Sequence, residues 1–318
     1  MAIGETTRDT TRAPSTSRGM SLATRESLSG YLFISPWIIG FIAFTALPML
    51  ASLYLSLTDF DPRRPEAIHF IGLANYAKMT TDPNLLNSLG VTLRFGIIVV
   101  PLTMAFALGV AMLVNHPRLL GRNFFRSLFY MPMQIPIVAS TLVWIGMLNA
   151  STGWLDLGLR AMGLPAPDWL NSAIWVTPAL ALMGIWGIGN MMLIFLAGLQ
   201  GVPTELYEAA RVDGAGRWAS FRRITLPMIS PVIFYNAIIA LIGTFQYFTQ
   251  AYIVSNGRGD PAGATLFYNL NLYLEGFGYY QMGYASALAW LLFVIVLTIT
   301  VVLFRLGGKW VYEAGGVR

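Results

Sequence analysis

The chain contains no cysteine and few charged residues. None of its 318 residues is Cys, and only 11% are Asp, Glu, Lys or Arg. The absence of cysteine excludes disulfide bonds, thiolate zinc sites and iron–sulfur clusters. So little charge, together with 56% apolar residues, is atypical of a soluble domain. The composition therefore predicts an all-α polytopic membrane protein.

Acidic residues are also missing from the long apolar segments. None of these segments contains Asp or Glu, and their basic residues Arg94, Arg126 and Arg305 lie near segment ends. Each segment is long enough to cross a hydrocarbon layer of about 30 Å, which predicts six transmembrane helices. The predicted spans are residues 31-57, 89-114, 124-148, 174-199, 232-254 and 284-306, and Pro132 and Pro136 are predicted to interrupt the third. Because ion-coupled carriers usually have ionisable groups in their spans, this pattern disfavours ion coupling.

The flanking segments are polar, and their charge predicts the orientation of the chain. Residues 1-30 are rich in Ser, Thr and Arg and are predicted as a disordered tail, and residues 307-318 form a second tail. Six spans place both termini on one side. Fourteen of the 20 lysines and arginines lie on that side and six on the other. The positive-inside rule therefore predicts cytoplasmic N- and C-termini.

Motifs for nucleotide binding and catalysis are not found. The chain has no G-x-x-x-x-G-K-[ST] loop, and the segment at Lys309 lacks both the upstream glycine and the hydroxyl residue. Ser, His and Asp do not cluster as a nucleophilic set would. His69 and His116 are predicted on opposite sides of the membrane, so they cannot share a metal. We therefore predict no catalytic residue, no metal site and no cofactor bound by this chain, and energy from ATP would require a separate ATPase.

The longest charged stretch after the tail is the loop at residues 200-231, QGVPTELYEAARVDGAGRWASFRRITLPMISP. Pro203 suits the first turn of a helix, where its missing N–H is not needed. Gly214 is a credible helix stop. Residues Thr204 to Asp213 are therefore predicted as a helix of about three turns. A basic second piece follows, and Pro227 ends it before the next apolar segment.

This loop resembles a known family. Glu208-Ala209-Ala210, three residues, Gly214, nine residues and Ile224-Thr225-Leu226-Pro227 match the EAA loop of the membrane subunits of ABC importers. The surrounding sequence is similar to the sugar-importer branch, the permeases of the maltose and glycerol-3-phosphate type. Phe70-Ile71-Gly72-Leu73-Ala74-Asn75-Tyr76 also resembles the F-x-G-L-x-N-Y box of sugar permeases. The resemblance covers most of the chain from about Tyr31 onward.

The resemblance implies a type I ABC importer permease in a bacterial or archaeal cytoplasmic membrane. The chain would move a sugar, an oligosaccharide or a related polyol. Its implied partners are a second homologous permease, two ABC ATPase subunits that use ATP and Mg, an extracytoplasmic sugar-binding protein and membrane lipid. No nucleic acid is expected. The residues implied to couple to the ATPase are Glu208, Ala209, Ala210, Asp213, Gly214, Ile224, Leu226 and Pro227.

Substrate contacts are implied in the two spans that flank the loop, by alignment with the maltose-type permeases. In the fifth span, Asn236, Gly243, Tyr247 and Gln250 are spaced by seven, four and three, which places them on one helical stripe. The predicted contacts are Gly187, Asn190, Gly243, Thr244, Tyr247 and Gln250. An alternative for Asn190, Tyr247 and Gln250 is a polar contact between helices, and this is the favoured interpretation for Gln134 and Asn236.

Two other functions remain open from the sequence. The first is an ion-coupled secondary sugar carrier or a channel that acts alone, and the second is a membrane-bound enzyme. Uptake into vesicles that contain this chain alone, without ATP, would favour the first. Activity of the purified single chain would favour the second.

Overall fold

The computed structural model describes residues 22–308, which are mostly helical. The α-helices are α1 (Leu22–Phe41), α2 (Leu47–Ser56), α3 (Ala74–Met79), α4 (Pro83–Asn115), α5 (Arg122–Tyr130), α6 (Ile137–Met147), α7 (Trp154–Ala161), α8 (Val176–Trp186), α9 (Gly189–Gln200), α10 (Thr204–Val212), α11 (Arg217–Ser220), α12 (Leu226–Met228), α13 (Ser230–Phe245), α14 (Thr249–Val254), α15 (Tyr268–Tyr273) and α16 (Met282–Gly307). π-Helical turns lie at Ile42–Ala46, Phe221–Thr225 and Leu274–Gly278, and a 3-10 turn lies at Met131–Gln134. Within the described residues, strand pairing is limited to one bridge between Thr58 and Phe70.

The predicted tails fall largely outside the described residues. Residues 1–21 and 309–318 are not described, so the tail prediction is not assessed there. Residues 22–30 were predicted as part of the disordered N-terminal tail, and this part of the prediction is wrong. They form the first turns of α1, which begins at Leu22, before the apolar segment.

The described chain forms two units, which divide between Ala51 and Ser52. The first unit contains α1, the π turn and the start of α2. The π turn precedes Pro48, and the Leu47 N–H donates to the carbonyl of Ile42. Because a proline nitrogen has no hydrogen to donate, a wider turn beside it lets the helix continue. Residues Glu26–Ser56 accordingly form one apolar helix of 31 residues.

Between four and six elements are long and apolar enough to cross a membrane. Four helical segments qualify, at Glu26–Ser56, Pro83–Asn115, Ser230–Val254 and Met282–Gly307, the third of which contains α13, a short break and α14. Two bent helix pairs also qualify if each pair is one span. Arg122–Gln134 and Ile137–Met147 meet at 99°, and Val176–Trp186 and Gly189–Gln200 meet at 52°.

Helix α4 is central to the second unit and packs against α8, α9, α13 and α15. It begins at Pro83, six residues before the predicted span, because Asp82 caps it by accepting from the Asn84 N–H at 2.9 Å. Small residues bring its neighbours close. A Cβ atom at Gly96 would lie 2.9 Å from Cγ2 of Thr244 on α13. Close approach of this kind is the usual basis of helix packing in lipid.

The two bent pairs have different causes. In the first pair, the extended residue Ile135 lies between Pro132 and Pro136. The two prolines predict this interruption. In the second pair, α8 ends at Trp186 with Gly187 as its C-cap, and α9 begins at Gly189; the sequence analysis did not anticipate this break. A Cβ atom at Gly189 would lie 2.7 Å from the carbonyl oxygen of Phe129. The break therefore lets the start of α9 approach the end of α5.

The F-x-G-L-x-N-Y box closes the loop after α2. The Asn75 side chain is buried and donates to the carbonyls of Ser56 and Thr58 at 2.9 and 2.8 Å. These carbonyls lie at the end of α2, where no intrahelical donor is available. The hydroxyl of Tyr76 lies 2.9 Å from that of Ser56. The Asn and Tyr of the box therefore serve as a helix cap built from side chains.

The same loop is fixed to the start of α16. The Gly283 N–H donates to the carbonyl of Phe60 at 3.1 Å, and a Cβ atom at Gly283 would clash with the carbonyl oxygen of Thr58. No side chain larger than hydrogen fits at this position.

We predict that Gly283→Ala destabilises the protein by about 1–3 kcal/mol, the usual cost of overpacking, because the loop or α16 must move. Thermal unfolding of the purified chain measures this effect. Gly109→Ala is the matched control, because Gly109 lies inside α4 and has open space around it. An unchanged unfolding temperature for Gly283→Ala would contradict the packing described here.

Candidate functional site

The stretch from Gln200 to Pro231, here called the elbow, connects α9 to α13. Gly201 and Val202 follow α9, and Pro203 precedes α10 with an extended ψ of 133°. Proline favours this extended conformation and does not sacrifice a hydrogen bond in the first helical turn. Helix α10 spans Thr204–Val212, so the short helix predicted from Pro203 is present.

Helix α10 ends in a Schellman motif, which explains the spacing from Ala210 to Gly214. Gly214 has φ +74°, and its N–H donates to the carbonyl of Arg211 at 3.1 Å. The Ala215 N–H donates to the carbonyl of Ala210 at 2.8 Å. These bonds place Ala210 three positions before the cap and Gly214 one position after it. The predicted helix stop at Gly214 is confirmed.

The second half of the elbow anchors α10 to the body of the protein. The hydroxyl of Tyr207, on α10, lies 2.9 Å from that of Thr225, in the π turn. Tyr207 and Ile224 pack against a buried cluster that includes Phe195 and Ile229. The elbow is therefore held at both its first and its second helical piece.

The predicted coupling residues fall into two groups by exposure. Exposed are Glu208, Ala209, Asp213, Gly214 and Pro227, and partly buried are Ala210, Ile224 and Leu226. Glu208 makes no ion pair with any described residue. The exposed group, apart from Pro227, lies on α10 and its cap, where a partner has access. The partly buried Ile224 and Leu226 instead belong to the anchored second half.

The sequence analysis did not identify Tyr207 and Thr225 as a pair. They are 18 residues apart, and only the fold back across Gly214 brings them together. The available signal was a tyrosine one position before the Glu-Ala-Ala motif and the threonine inside Ile-Thr-Leu-Pro.

A cavity of about 210 Å³ lies beside the break between α8 and α9. Gly187 and Asn190 line it from this broken pair, and both are exposed. Tyr235 and Asn236 line it from α13. Asn236 is 2% exposed, and its Nδ2 has no hydrogen-bond partner among the described residues. Amide and phenol groups both donate and accept hydrogen bonds, as recognition of a hydroxyl-rich solute requires.

The other predicted substrate residues do not line this cavity. Gly243 is exposed, whereas Thr244 is buried against Gly96 and donates to the carbonyl of Ala240 at 2.9 Å. The ring of Tyr247 contacts Phe95 and Phe267, with centroids 4.9 and 4.7 Å apart. Gln250 lies half-buried on α14.

The stripe that predicted Tyr247 and Gln250 assumed one continuous helix. Helix α13 ends at Phe245, and α14 begins at Thr249 after Phe248 adopts φ −141° and ψ −61°. Residues on the two sides of this break do not share a helical face. The break coincides with aromatic packing around Tyr247, which the residue spacing in the sequence does not reveal.

Tyr235 was missed as a cavity residue, and Asn236 was regarded as a contact between helices. The signal for both was an adjacent tyrosine and asparagine in an otherwise apolar segment. Another cavity, of about 840 Å³, lies along α4 and α8 near Arg94, Trp169 and Trp175. None of the predicted substrate residues lines it.

A polar network lies at the other end of the second unit. Lys78 donates to Gln281 at 2.6 Å, and its Nζ lies 3.8 Å from the centroid of the Tyr284 ring. The Tyr284 hydroxyl donates to Asp82 at 2.6 Å. Burial raises the pKa of the nearby Glu275, while the positive charge of Lys78 opposes that rise. The network connects α3, the start of α4 and the start of α16.

The exposed loop near this network contains a short ion pair. The Arg63 side chain donates to Asp61 at 2.7 Å. This hydrogen bond lowers the pKa of Asp61 to about 2. Among residues 22–308, no group of three or more His, Cys, Asp or Glu side chains is placed to hold a metal ion.

Comparison with known proteins identifies the family. Residues 103–309 match the family described as binding-protein-dependent transport system inner membrane component. The chain is 42% identical to the probable ABC transporter permease protein YesP of Bacillus subtilis, over 91% of this chain and 93% of that protein. It is 33% identical to the trehalose/maltose transport system permease protein MalF of Thermococcus litoralis, over 90% and 96% of the two chains.

A solved structure shares the fold. It is a chain of a bacterial alginate ABC transporter in complex with an alginate pentasaccharide-bound periplasmic protein. Its TM-score is 0.76 at 22% identity, over 88% of this chain and 94% of that chain. The family match, the two relatives and this fold agree with one another. The chain therefore belongs to the binding-protein-dependent transport family, as a permease subunit of the ABC transporter inner-membrane type.

Proposed function

We propose that this chain forms half of the membrane pathway of an ATP-driven importer for a sugar, an oligosaccharide or a related polyol. It crosses the membrane six times with both termini in the cytoplasm, and it pairs with a second, homologous permease. Two ATPase subunits, which use ATP and Mg, bind the elbow from the cytoplasm. An extracytoplasmic binding protein delivers the substrate to residues 58-88, 149-173 and 255-283.

One observation supports the proposal most strongly: both ends of the elbow join helices that line the small cavity. Helix α9 presents Asn190, its second residue, to the cavity and ends at Gln200, where the elbow starts. Its 12 residues span about 18 Å. Helix α13 begins at Ser230, at the end of the elbow, and presents Tyr235 and Asn236 to the same cavity.

This connection would couple the ATPase-binding surface of α10 to the small cavity. A force on α10 passes through the Tyr207–Thr225 contact and the buried cluster into α9 and α13. When the ATPase pair closes, the two helices would tilt and change access to the cavity. The result is a switch between inward-open and outward-open states.

The substrate class follows from the chemistry of the cavity and from the relatives. Asn190, Tyr235 and Asn236 offer amide and phenol groups without a carboxylate. Such groups suit a neutral polyhydroxyl solute. MalF of Thermococcus litoralis is named for trehalose and maltose, which belong to this class.

We predict that Gly214→Pro and Glu208→Arg each abolish binding of the ATPase and uptake, while the chain still inserts in the membrane. Proline cannot adopt the φ of +74° at Gly214, so the Schellman motif is lost. The measurement is co-purification of the ATPase. Gly163→Pro is the matched control for co-purification of the ATPase, because Gly163 lies outside the elbow and follows the short helix α7 with φ +72° and open space. If either elbow variant bound the ATPase and transported normally, the coupling assignment would be wrong.

We predict that Tyr207→Phe lowers the amount of substrate moved per ATP hydrolysed by about two- to tenfold, because one hydrogen bond contributes about 0.5–1.5 kcal/mol. The ATPase remains bound, since the exposed face of α10 is unchanged. Parallel assays of uptake and ATP hydrolysis in the reconstituted transporter measure this ratio. Tyr54→Phe, which removes an exposed hydroxyl, is the control. A ratio equal to that of wild type would rule out this contact as a link in coupling.

We predict that Asn190→Ala raises the KM for uptake by about two- to tenfold through loss of one hydrogen bond to substrate. Asn190 is exposed, so its removal leaves the unfolding temperature unchanged. Uptake kinetics and thermal unfolding are measured on the same preparation. A lower unfolding temperature with an unchanged KM would instead identify Asn190 as a contact between helices.

A further inference from the structure

Three arginines surround a cavity at the connection between α4 and α5. The cavity has a volume of about 620 Å³ and is lined by residues 117–123 and Arg126. Arg118, Arg122 and Arg126 contribute three positive charges, and Leu119 and Leu120 contribute apolar surface. A concave basic site beside apolar residues suits an anion that is attached to a hydrophobic body.

No carboxylate in the described part of the chain pairs with the cluster. The sequence has no Asp or Glu between Asp82 and Asp156. Among the described residues, none of the three arginines makes an ion pair. The Nε of Arg126 is buried without a hydrogen-bond partner. Because a buried charged donor without an acceptor is costly, an acceptor from outside the chain is expected.

The start of α5 adds backbone donors to the same cavity. Gly121 precedes the helix with φ +71° and provides no side-chain cap. The N–H groups of Phe124 and Phe125 donate to the carbonyl of Gly121, whereas those of Arg122 and Asn123 have no acceptor within the helix. Arg122 and Asn123 both line the cavity. Uncapped helix N-termini favour phosphate and other anions.

The apolar face of α5 indicates where the anion comes from. Phe124 and Leu128, four residues apart on α5, are exposed. Leu120 and Met131, which precede and follow the helix, are also exposed. Arg118 and Arg122 lie at or before the first turn of α5, and Phe124 and Leu128 follow along the helix. Basic side chains at the end of an apolar membrane segment typically reach the lipid headgroups, while the apolar side chains contact the acyl chains.

We propose that Arg118, Arg122 and Arg126 bind the phosphate of an anionic phospholipid headgroup. The acyl chains of that lipid lie along the exposed apolar face that contains Phe124 and Leu128. The site requires only that the chain is embedded in a membrane. It does not depend on the substrate, on the direction of transport or on coupling through the elbow.

The test uses the full chain, purified in mild detergent with equal amounts of phosphatidylglycerol and phosphatidylcholine of the same acyl chains. Native mass spectrometry counts the lipids that remain bound. Wild type is expected to retain phosphatidylglycerol over phosphatidylcholine by roughly tenfold, given three arginines near one headgroup. The variant Arg118→Gln/Arg122→Gln/Arg126→Gln loses this preference.

The control variant Arg63→Gln/Arg64→Gln/Arg160→Gln removes equal charge elsewhere and keeps the preference. Arg126→Gln alone lowers it, which provides a readout if the triple variant does not fold. Equal preference in wild type and the Arg118/Arg122/Arg126 variant would overturn the proposal. Displacement of phosphatidylglycerol by millimolar inorganic phosphate would also overturn it, because it would identify a site for a free anion.

Discussion

The packing of α4 against its neighbours is the constraint on which the second unit depends. Lipid tails are as apolar as Leu or Val side chains, so moving such a side chain from lipid into a helix interface gains little free energy. Helices in a membrane therefore associate through close packing. Gly96 receives Thr244 of α13, and Gly184 of α8 approaches Val99 of α4. Gly198 of α9 receives Val232 of α13 in the same way. These contacts hold α9 and α13 side by side. Both ends of the elbow therefore join the same pair of packed helices.

Backbone geometry explains part of the residue spacing in the elbow. The distance from Ala210 to Gly214 follows from the hydrogen bonds of a Schellman motif. The π turn at Phe221–Thr225 directly precedes Leu226-Pro227, as the one at Ile42–Ala46 precedes Leu47-Pro48. In both places the wider turn accommodates a residue that cannot donate a hydrogen bond. Part of the Ile-Thr-Leu-Pro motif therefore shapes the chain, while the exposed face of α10 is available to a partner.

The sequence predicted the features that depend on local chemistry. The helix after Pro203, the stop at Gly214 and the interruption between Pro132 and Pro136 all follow from the properties of proline and glycine. The break between α8 and α9 depends instead on the contact of Gly189 with Phe129, which no local pattern reveals. The end of α13 at Phe245 accompanies the aromatic packing of Tyr247, and the Tyr207–Thr225 contact requires the chain to fold back. Tertiary contacts therefore account for what the sequence did not predict.

The central claim is that the elbow moves the cavity while the energy comes from another subunit. Because the chain has no cysteine, Ile239→Cys places a single thiol at the cavity. The direct measurement is the rate at which a water-soluble thiol reagent modifies this cysteine in the assembled transporter, with and without ATP. The account predicts a change in rate on ATP binding that becomes smaller when Tyr207→Phe, which leaves the ATPase bound, is added. An ATP-dependent change of unaltered size in the Tyr207→Phe background would contradict it.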